Sequence, residues 1–96
     1  MRVSSMAERV ARELVVHGRV QGVFFRAFVA DSARRHGVAG SAVNETDGTV
    51  RVRLEGEPDA VAAVEADCAA GPDRAAVERV EASDFPVAGL DGFATG

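Results

Sequence analysis

Apolar and polar residues along the first half of the chain follow the periods of a strand, a helix and a hairpin. Residues 13–18 form a short apolar run that ends at a glycine, which predicts a strand. Residues 24–37 predict a helix, because apolar side chains recur near the helical period and a glycine follows them. This apolar stripe consists of Phe25, Phe28, Val29 and Ala33. Residues 40–56 predict a β-hairpin around the turn ETDG.

The second strand of this hairpin alternates between apolar and charged residues. Its apolar face consists of Val50, Val52 and Leu54, and its charged face of Arg51, Arg53 and Glu55. An antiparallel sheet commonly packs one face on the core and leaves the other in water. We therefore expect the charged face, including Glu55, to be the solvent side of the sheet.

The second half of the chain predicts a second helix and a further strand. Residues 57–72 contain Pro58, which suits a first helical turn, and end with Gly-Pro. Residues 75–85 predict a strand, although Val77 and Val80 break the alternation, which indicates a bulge or a late start. The tail around Phe93 has room for one short additional strand.

The element order predicts the fold class. A sequence β1α1β2β3α2β4 is that of an α+β, ferredoxin-like split βαβ sandwich, with both helices on one face of an antiparallel-rich sheet. We expect one domain over residues 10–96, preceded by a flexible extension over residues 1–9. This fold hosts many functions, so the function has to be argued from a site.

Composition excludes several classes of function. No apolar run approaches the ~20 residues that span a bilayer, and the N-terminus lacks the apolar core of a signal peptide. The single cysteine, Cys68, fits a reducing compartment and a position in the core. A net charge of −4 is unusual for a nucleic-acid-binding domain. We therefore expect a cytoplasmic protein without membrane or nucleic-acid partners.

The loop before the first predicted helix is the strongest candidate site. It contains Gly18 and Gly22 and leads into a helix start, where free backbone N–H groups favour anions. Arg26 lies in the first turn of that helix, where a cation is disfavoured. From the residues alone two interpretations stay open: Arg26 is a solvated surface arginine, or it is placed to bind an anion such as phosphate.

Asn44, the only asparagine of the chain, is a second candidate. Its position just before the turn ETDG is compatible with a simple turn role. Its amide could also accept a hydrogen bond from water while donating to an oxyanion. The two histidines, His17 and His36, show no metal-ligand spacing with each other or with Cys68. The three phenylalanines of the first helix, Phe24, Phe25 and Phe28, are expected in the core.

At these candidate residues the sequence resembles the acylphosphatase family. VHGRVQGVFFR, residues 16–26, reproduces the first signature of that family in full, and NETDGTV, residues 44–50, matches the second, followed by Gly56. The resemblance covers residues 12–95. Two positions depart from the usual pattern of the second signature, which has an aromatic residue in place of Ser41 and a basic or polar residue in place of Val43.

The resemblance implies a function for each candidate. Arg26 would bind the phosphate of an acyl phosphate, and Asn44 would hold the water that attacks it. The phosphate-binding loop would comprise Gly18, Arg19, Val20, Gln21, Gly22, Val23 and Phe24. The reaction would yield a carboxylate and phosphate in a monomer, without metal, cofactor or covalent intermediate. The alternative is an anion-binding or regulatory module of the same fold without turnover.

Overall fold

A computed structural model describes residues 8–96, so most of the predicted extension 1–9 lies outside the described residues. The strands are β1 (Val10–Arg19), β2 (Ala39–Asn44), β3 (Val50–Gly56), β4 (Ala76–Phe85) and β5 (Phe93–Thr95). The helices are α1 (Phe25–His36) and α2 (Pro58–Ala70). The predicted order of elements is therefore confirmed, and the tail does add a short strand.

The five strands form one mixed sheet in the order β4-β1-β3-β2-β5. The pairs β1–β4, β1–β3 and β2–β3 are antiparallel, whereas β2 and β5 are parallel. Both helices pack on the same face of the sheet, where they enclose a single apolar core. The structure thus has the ferredoxin-like α+β fold that the sequence predicts.

β1 is longer than the apolar run that predicted it. The prediction covered residues 13–18, whereas the strand extends over Val10–Arg19. It is a central strand that pairs with β3 from Val10 and with β4 as far as Arg19. Its ends are therefore set by hydrogen bonds to two neighbouring strands, which an apolar pattern does not report.

The predicted irregularity in β4 is a bulge opposite the end of β1. His17 pairs with Arg79 and Gly18 with Val77, which leaves Glu78 without a partner in β1. Gly18 has φ 127°, and a Cβ at this position would lie 2.1 Å from the carbonyl oxygen of Ala76. Only glycine allows this approach. The bulge therefore fixes the point at which the chain leaves the sheet for the loop before α1.

The core follows the predicted apolar positions. Phe25, Val29 and Ala33 of α1 are buried, and Phe28 is partly buried. Cys68 is fully buried in α2, and this burial, together with neighbouring carboxylates, raises the pKa of its thiol to about 12. Cys68 is thus a core residue, as predicted.

The prediction for Glu55 was wrong. Arg51 and Arg53 are partly exposed and pair with Glu13 on the sheet face away from the helices, but Glu55 is only 1% exposed. The segment 86–92 has to pass from the edge strand β4 to the opposite edge strand β5, and it covers Glu55 on the way. The backbone N–H groups that donate to this carboxylate belong to Ala88, Gly89 and Leu90, at 2.9, 2.8 and 3.1 Å.

Candidate active site

The loop between β1 and α1 turns by means of two residues in the left-handed region. Gly22 has φ 74° and Phe24, which precedes the first helical residue, has φ 59° and ψ 26°. A left-handed conformation is easy for glycine and unfavourable for phenylalanine. This turn lets the chain reverse direction within a few residues and bring the helix start beside the end of β2.

The start of α1 is left without the usual compensation. No side chain caps it, and no acidic residue lies in its first turn. The first hydrogen bond of the helix runs from the N–H of Phe28 to the carbonyl oxygen of Phe24, at 3.0 Å. The N–H groups of Phe25, Arg26 and Ala27 therefore have no partner within the helix. They form a positive end that an anion would satisfy.

Arg26 adds a full positive charge at the same place. It is partly buried, yet it makes no hydrogen bond or ion pair within residues 8–96. Two other arginines of this part of the chain also lack partners, Arg19 and Arg74, but both are exposed to water. A partly buried arginine without a partner is the less favourable arrangement, because its charge is partly desolvated and uncompensated.

Asn44 lies across the same cleft from this helix start. It ends β2, opposite Val50 of β3, and its side chain is exposed without a partner in the described residues. The cleft has a volume of about 310 Å³ and is lined by Arg26 and Asn44 together with Val20, Gly22, Phe24 and Thr95. The fold therefore brings the two residues singled out by sequence into one site.

The side chain of Gln21 connects the loop before α1 to the β2–β3 turn by hydrogen bonds. Its amide nitrogen donates to the carbonyl oxygens of Glu45 and Thr49, at 2.8 and 2.9 Å. These carbonyls belong to the β2–β3 turn, directly after Asn44. The side chain of Gln21 is thus engaged with the protein, and it fixes the position of Asn44 relative to the loop.

The β2–β3 turn contains hydrogen bonds of its own. One carboxylate oxygen of Asp47 accepts hydrogen bonds from the hydroxyl and the backbone N–H of Thr49, at 2.6 and 3.0 Å. These bonds, with the hydroxyl contributing most, lower the pKa of Asp47. These hydrogen bonds stabilise the turn whose carbonyls accept the hydrogen bonds of Gln21.

The predicted loop residues do not all reach the cleft. Val20, Gly22 and Phe24 line it. Gly18 and Arg19 belong to the end of β1, and Gln21 and Val23 are not among the lining residues. The pattern of the tail gave no indication of Thr95, which reaches the cleft because β5 pairs with β2 in parallel.

The placement of Phe24 corrects the sequence prediction. It was expected in the core, but it is 79% exposed. The left-handed turn at this residue directs successive side chains to different environments, and the neighbouring Phe25 is the one that is buried. Helical periodicity does not apply to a residue outside the helix.

The two departures from the family pattern lie away from the cleft. Ser41 pairs with Arg53 and Val43 with Arg51 in the antiparallel pair of β2 and β3. Neither lines the cleft. Because side chains alternate along a strand, both point to the face opposite that of Asn44.

Within residues 8–96 no three histidine, cysteine or carboxylate side chains lie close enough together to hold a metal ion. No helix of this part of the chain is long and apolar enough to cross a membrane.

The polar groups that converge on the cleft are an arginine, an amide and backbone N–H groups. The protein is thus a small domain with a ferredoxin-like fold. Its cleft contains groups of the kind that bind phosphate.

The comparisons with known proteins specify the family. The family model for acylphosphatase matches residues 12–95, and the chain belongs to the acylphosphatase family. An acylphosphatase from Anaeromyxobacter dehalogenans is 51% identical over 76 residues, which cover 79% of this chain and 82% of that protein. One from a Nocardioides species is 48% identical over 85 residues, covering 88% and 86%. The solved structure of an acylphosphatase from Coxiella burnetii superposes with a TM-score of 0.91 at 27% identity, covering 99% and 100%.

Proposed function

We propose that this acylphosphatase hydrolyses acyl phosphates by holding the phosphate between Arg26 and the backbone N–H groups at the start of α1, with the attacking water on Asn44. The family gives the reaction, in which a carboxylic–phosphoric anhydride and water yield a carboxylate and phosphate. The water oxygen bonds to phosphorus, and the bond from phosphorus to the bridging oxygen breaks. The carboxylate leaves with the electron pair, and a proton of the water is released.

The observation that carries this proposal is that Arg26 is partly buried and has no partner among residues 8–96. A phosphate dianion would supply the missing partner for both the guanidinium and the helix start. Two unit charges ~4 Å apart attract by about 4 kcal/mol at an effective dielectric constant of 20. The penalty for a cation at a helix N-terminus is only ~0.3–1 kcal/mol. Binding of the phosphate therefore outweighs the unfavourable placement of Arg26.

Asn44 has the chemistry to place a water but not to deprotonate it. Its carbonyl oxygen accepts a hydrogen bond from the water and so holds the water oxygen towards the phosphorus atom. Because an acyl phosphate has a weakly basic carboxylate as its leaving group, positioning and charge stabilisation are the main requirements. The hydrogen bonds of Gln21 to the β2–β3 turn support this role, since they fix the chain next to Asn44.

The surroundings of the reaction follow from the same features. The residues of the cleft offer no cluster of metal ligands, so we infer that the reaction proceeds without metal or other cofactor. We further infer a cytoplasmic monomer that acts on small molecules and binds neither nucleic acid nor membrane. The net charge of −4 and the lone buried Cys68 support this inference.

Hydrolysis of benzoyl phosphate in the presence of EDTA tests the proposal. We expect turnover by the unmodified protein and its loss in Arg26→Ala. The matched control is Arg74→Ala, which removes an exposed arginine that also lacks a partner in the part of the chain that the structure describes. Equal activity of Arg26→Ala and Arg74→Ala would contradict the role of Arg26.

Loss of activity on addition of EDTA would contradict the metal-free reaction. Binding of inorganic phosphate without any turnover would instead indicate an anion-binding module.

A further inference from the structure

Phe24 combines two unfavourable features at one residue. Its side chain is 79% exposed, and its backbone has φ 59° and ψ 26°. Among residues 8–96 it is the only residue other than glycine with a positive φ. Left-handed backbone at a residue other than glycine is strained, and such strain concentrates at functional sites.

The ring of Phe24 has no role in the fold that the structure reveals. The next residue, Phe25, supplies the aromatic side chain that fills the core. Phe24 occupies the N-cap position of α1 but makes no capping bond with its side chain. Glycine or asparagine would adopt this conformation more readily. A fold requirement therefore does not explain a phenylalanine here.

The position of the ring indicates what it contacts. Phe24 lines the cleft that holds Arg26 and Asn44, and the lining contains no carboxylate. Two other lining residues, Ala27 and Thr95, have small side chains, so Phe24 carries the large exposed apolar surface of the lining. A substrate whose phosphate lies beside Arg26 would have its acyl group in the same cleft as this ring. A volume of about 310 Å³ is small for a ligand pocket, which favours a compact acyl group.

We propose that the ring of Phe24 binds the acyl group of the substrate, so that the cleft selects flat, apolar acyl phosphates over short aliphatic ones. This inference rests on the proposed function. An aromatic acyl group stacks on the ring and covers apolar surface of both partners. Phe24 is thus a specificity residue: its ring contacts the acyl part, whereas Arg26 binds the phosphate common to all acyl phosphates.

The ratio of kcat/KM for benzoyl phosphate to that for acetyl phosphate tests the inference. Because both substrates share the phosphate, the ratio cancels effects of a variant on the loop itself. In Phe24→Ala we expect the ratio to fall by about 3- to 10-fold. In Phe24→Tyr, which keeps the ring, the ratio should stay near that of the unmodified protein. The control Val87→Ala removes an exposed apolar side chain that does not line the cleft, and should leave the ratio unchanged.

An unchanged ratio in Phe24→Ala would overturn the inference. So would an equal fall of both kcat/KM values, because the ring would then act through the loop and not on the acyl group. If neither substrate is turned over, the proposed function fails, and the acyl site is tested by binding. Phenacylphosphonate and acetonylphosphonate replace the bridging oxygen by a methylene group. The inference holds if Phe24→Ala weakens only the former in calorimetry, and it is overturned if both bind with unchanged affinity.

Discussion

Glu55 is buried and Arg26 is partly buried, and these two charged side chains differ in the partners that the described residues offer them. Glu55 is 1% exposed and accepts hydrogen bonds from three backbone N–H groups and from Arg9. Arg26 is partly buried and has no partner in the described part of the chain. A fully buried charge has to be satisfied within the fold. Under the proposed function, the substrate would supply the partner that Arg26 lacks in the described residues.

The two groups nevertheless serve the same cleft. Glu55 holds residues 88–90, which lie between β4 and β5. β5 then places Thr95 in the lining of the cleft. The hydrogen-bonded carboxylate thus stabilises the fold around the cleft, whereas we propose that Arg26 binds the substrate within it. The variants below test whether Arg26 acts on activity and Glu55 on stability, and those with the strongest expected effects come first.

Arg26→Ala removes the unsatisfied charge and should have the largest effect on activity. Loss of an attraction of about 4 kcal/mol corresponds to a fall in kcat/KM of roughly 10³-fold. Arg26→Lys should recover only part of it, because lysine keeps the charge but not the planar fork that binds two oxygens. Steady-state kinetics with benzoyl phosphate measure both. Full activity in Arg26→Lys would show that charge alone is sufficient.

Asn44→Ala should lower kcat by about 10²–10³-fold, the typical effect of removing one preorganised hydrogen-bonding group. Because Arg26 remains, the affinity for inorganic phosphate should change little. This split separates water positioning from phosphate binding. Inhibition by phosphate measures the affinity, and an equal loss of affinity and kcat would contradict a role confined to the water.

Glu55→Gln tests the other member of the comparison and should act on stability. The carboxamide nitrogen cannot accept hydrogen bonds from the N–H groups that now donate to the carboxylate. We therefore expect a loss of about 1–3 kcal/mol in the free energy of unfolding. Asp73→Asn is the control, since Asp73 is exposed and has no partner in the described residues. Urea unfolding measures both variants, and equal stabilities would show that the buried carboxylate is dispensable.

The same variant has a defined pH dependence. Burial raises the pKa of Glu55, but the N–H groups of residues 88–90 and Arg9 outweigh it and lower the pKa below its usual value. A lowered pKa gives stability that is present above the pKa of the unfolded chain, about 4.3, and is lost as the pH falls through the folded value. The difference between the unmodified protein and Glu55→Gln should therefore shrink below about pH 4. A constant difference down to pH 2 would contradict this.

Gln21→Met should have the smallest effect. It removes two hydrogen bonds to carbonyls of the β2–β3 turn, each worth about 0.5–1.5 kcal/mol, and keeps the size of the side chain. We expect kcat to fall by roughly tenfold, because Asn44 is held less firmly, with the affinity for phosphate retained. Gln21→Glu offers a comparison, since a carboxylate facing two carbonyls should be worse than methionine. If Gln21→Met were as active as the unmodified protein, the turn would position Asn44 without the hydrogen bonds from Gln21.

The sequence predicts the fold and the two central site residues for definite physical reasons. The alternation of β3 and the stripe of α1 report burial directly. Arg26 and Asn44 stand out because a cation at a helix start and a lone amide before a turn both need explanation. The resemblance to a family then gives them a shared role.

The remaining features depend on contacts between distant segments, which local patterns do not report. Glu55 follows the alternation of exposed residues, yet segment 86–92 covers it. Gln21 binds carbonyls more than twenty residues away in the chain. Thr95 reaches the cleft through a parallel pairing of β5 with β2. Phe24 sits just outside the helix whose period was used to place it.

The proposed role of Arg26 is to bind the phosphate of the substrate. Binding of inorganic phosphate measures this role separately from the hydrolysis step. Calorimetry should compare the unmodified protein with Arg26→Ala and with Arg74→Ala. We expect phosphate to bind to the unmodified protein and to Arg74→Ala with the same affinity. In Arg26→Ala the affinity should be roughly 10³-fold weaker or undetectable. Equal affinity in Arg26→Ala would contradict the claim that this arginine is completed by the charge of the substrate.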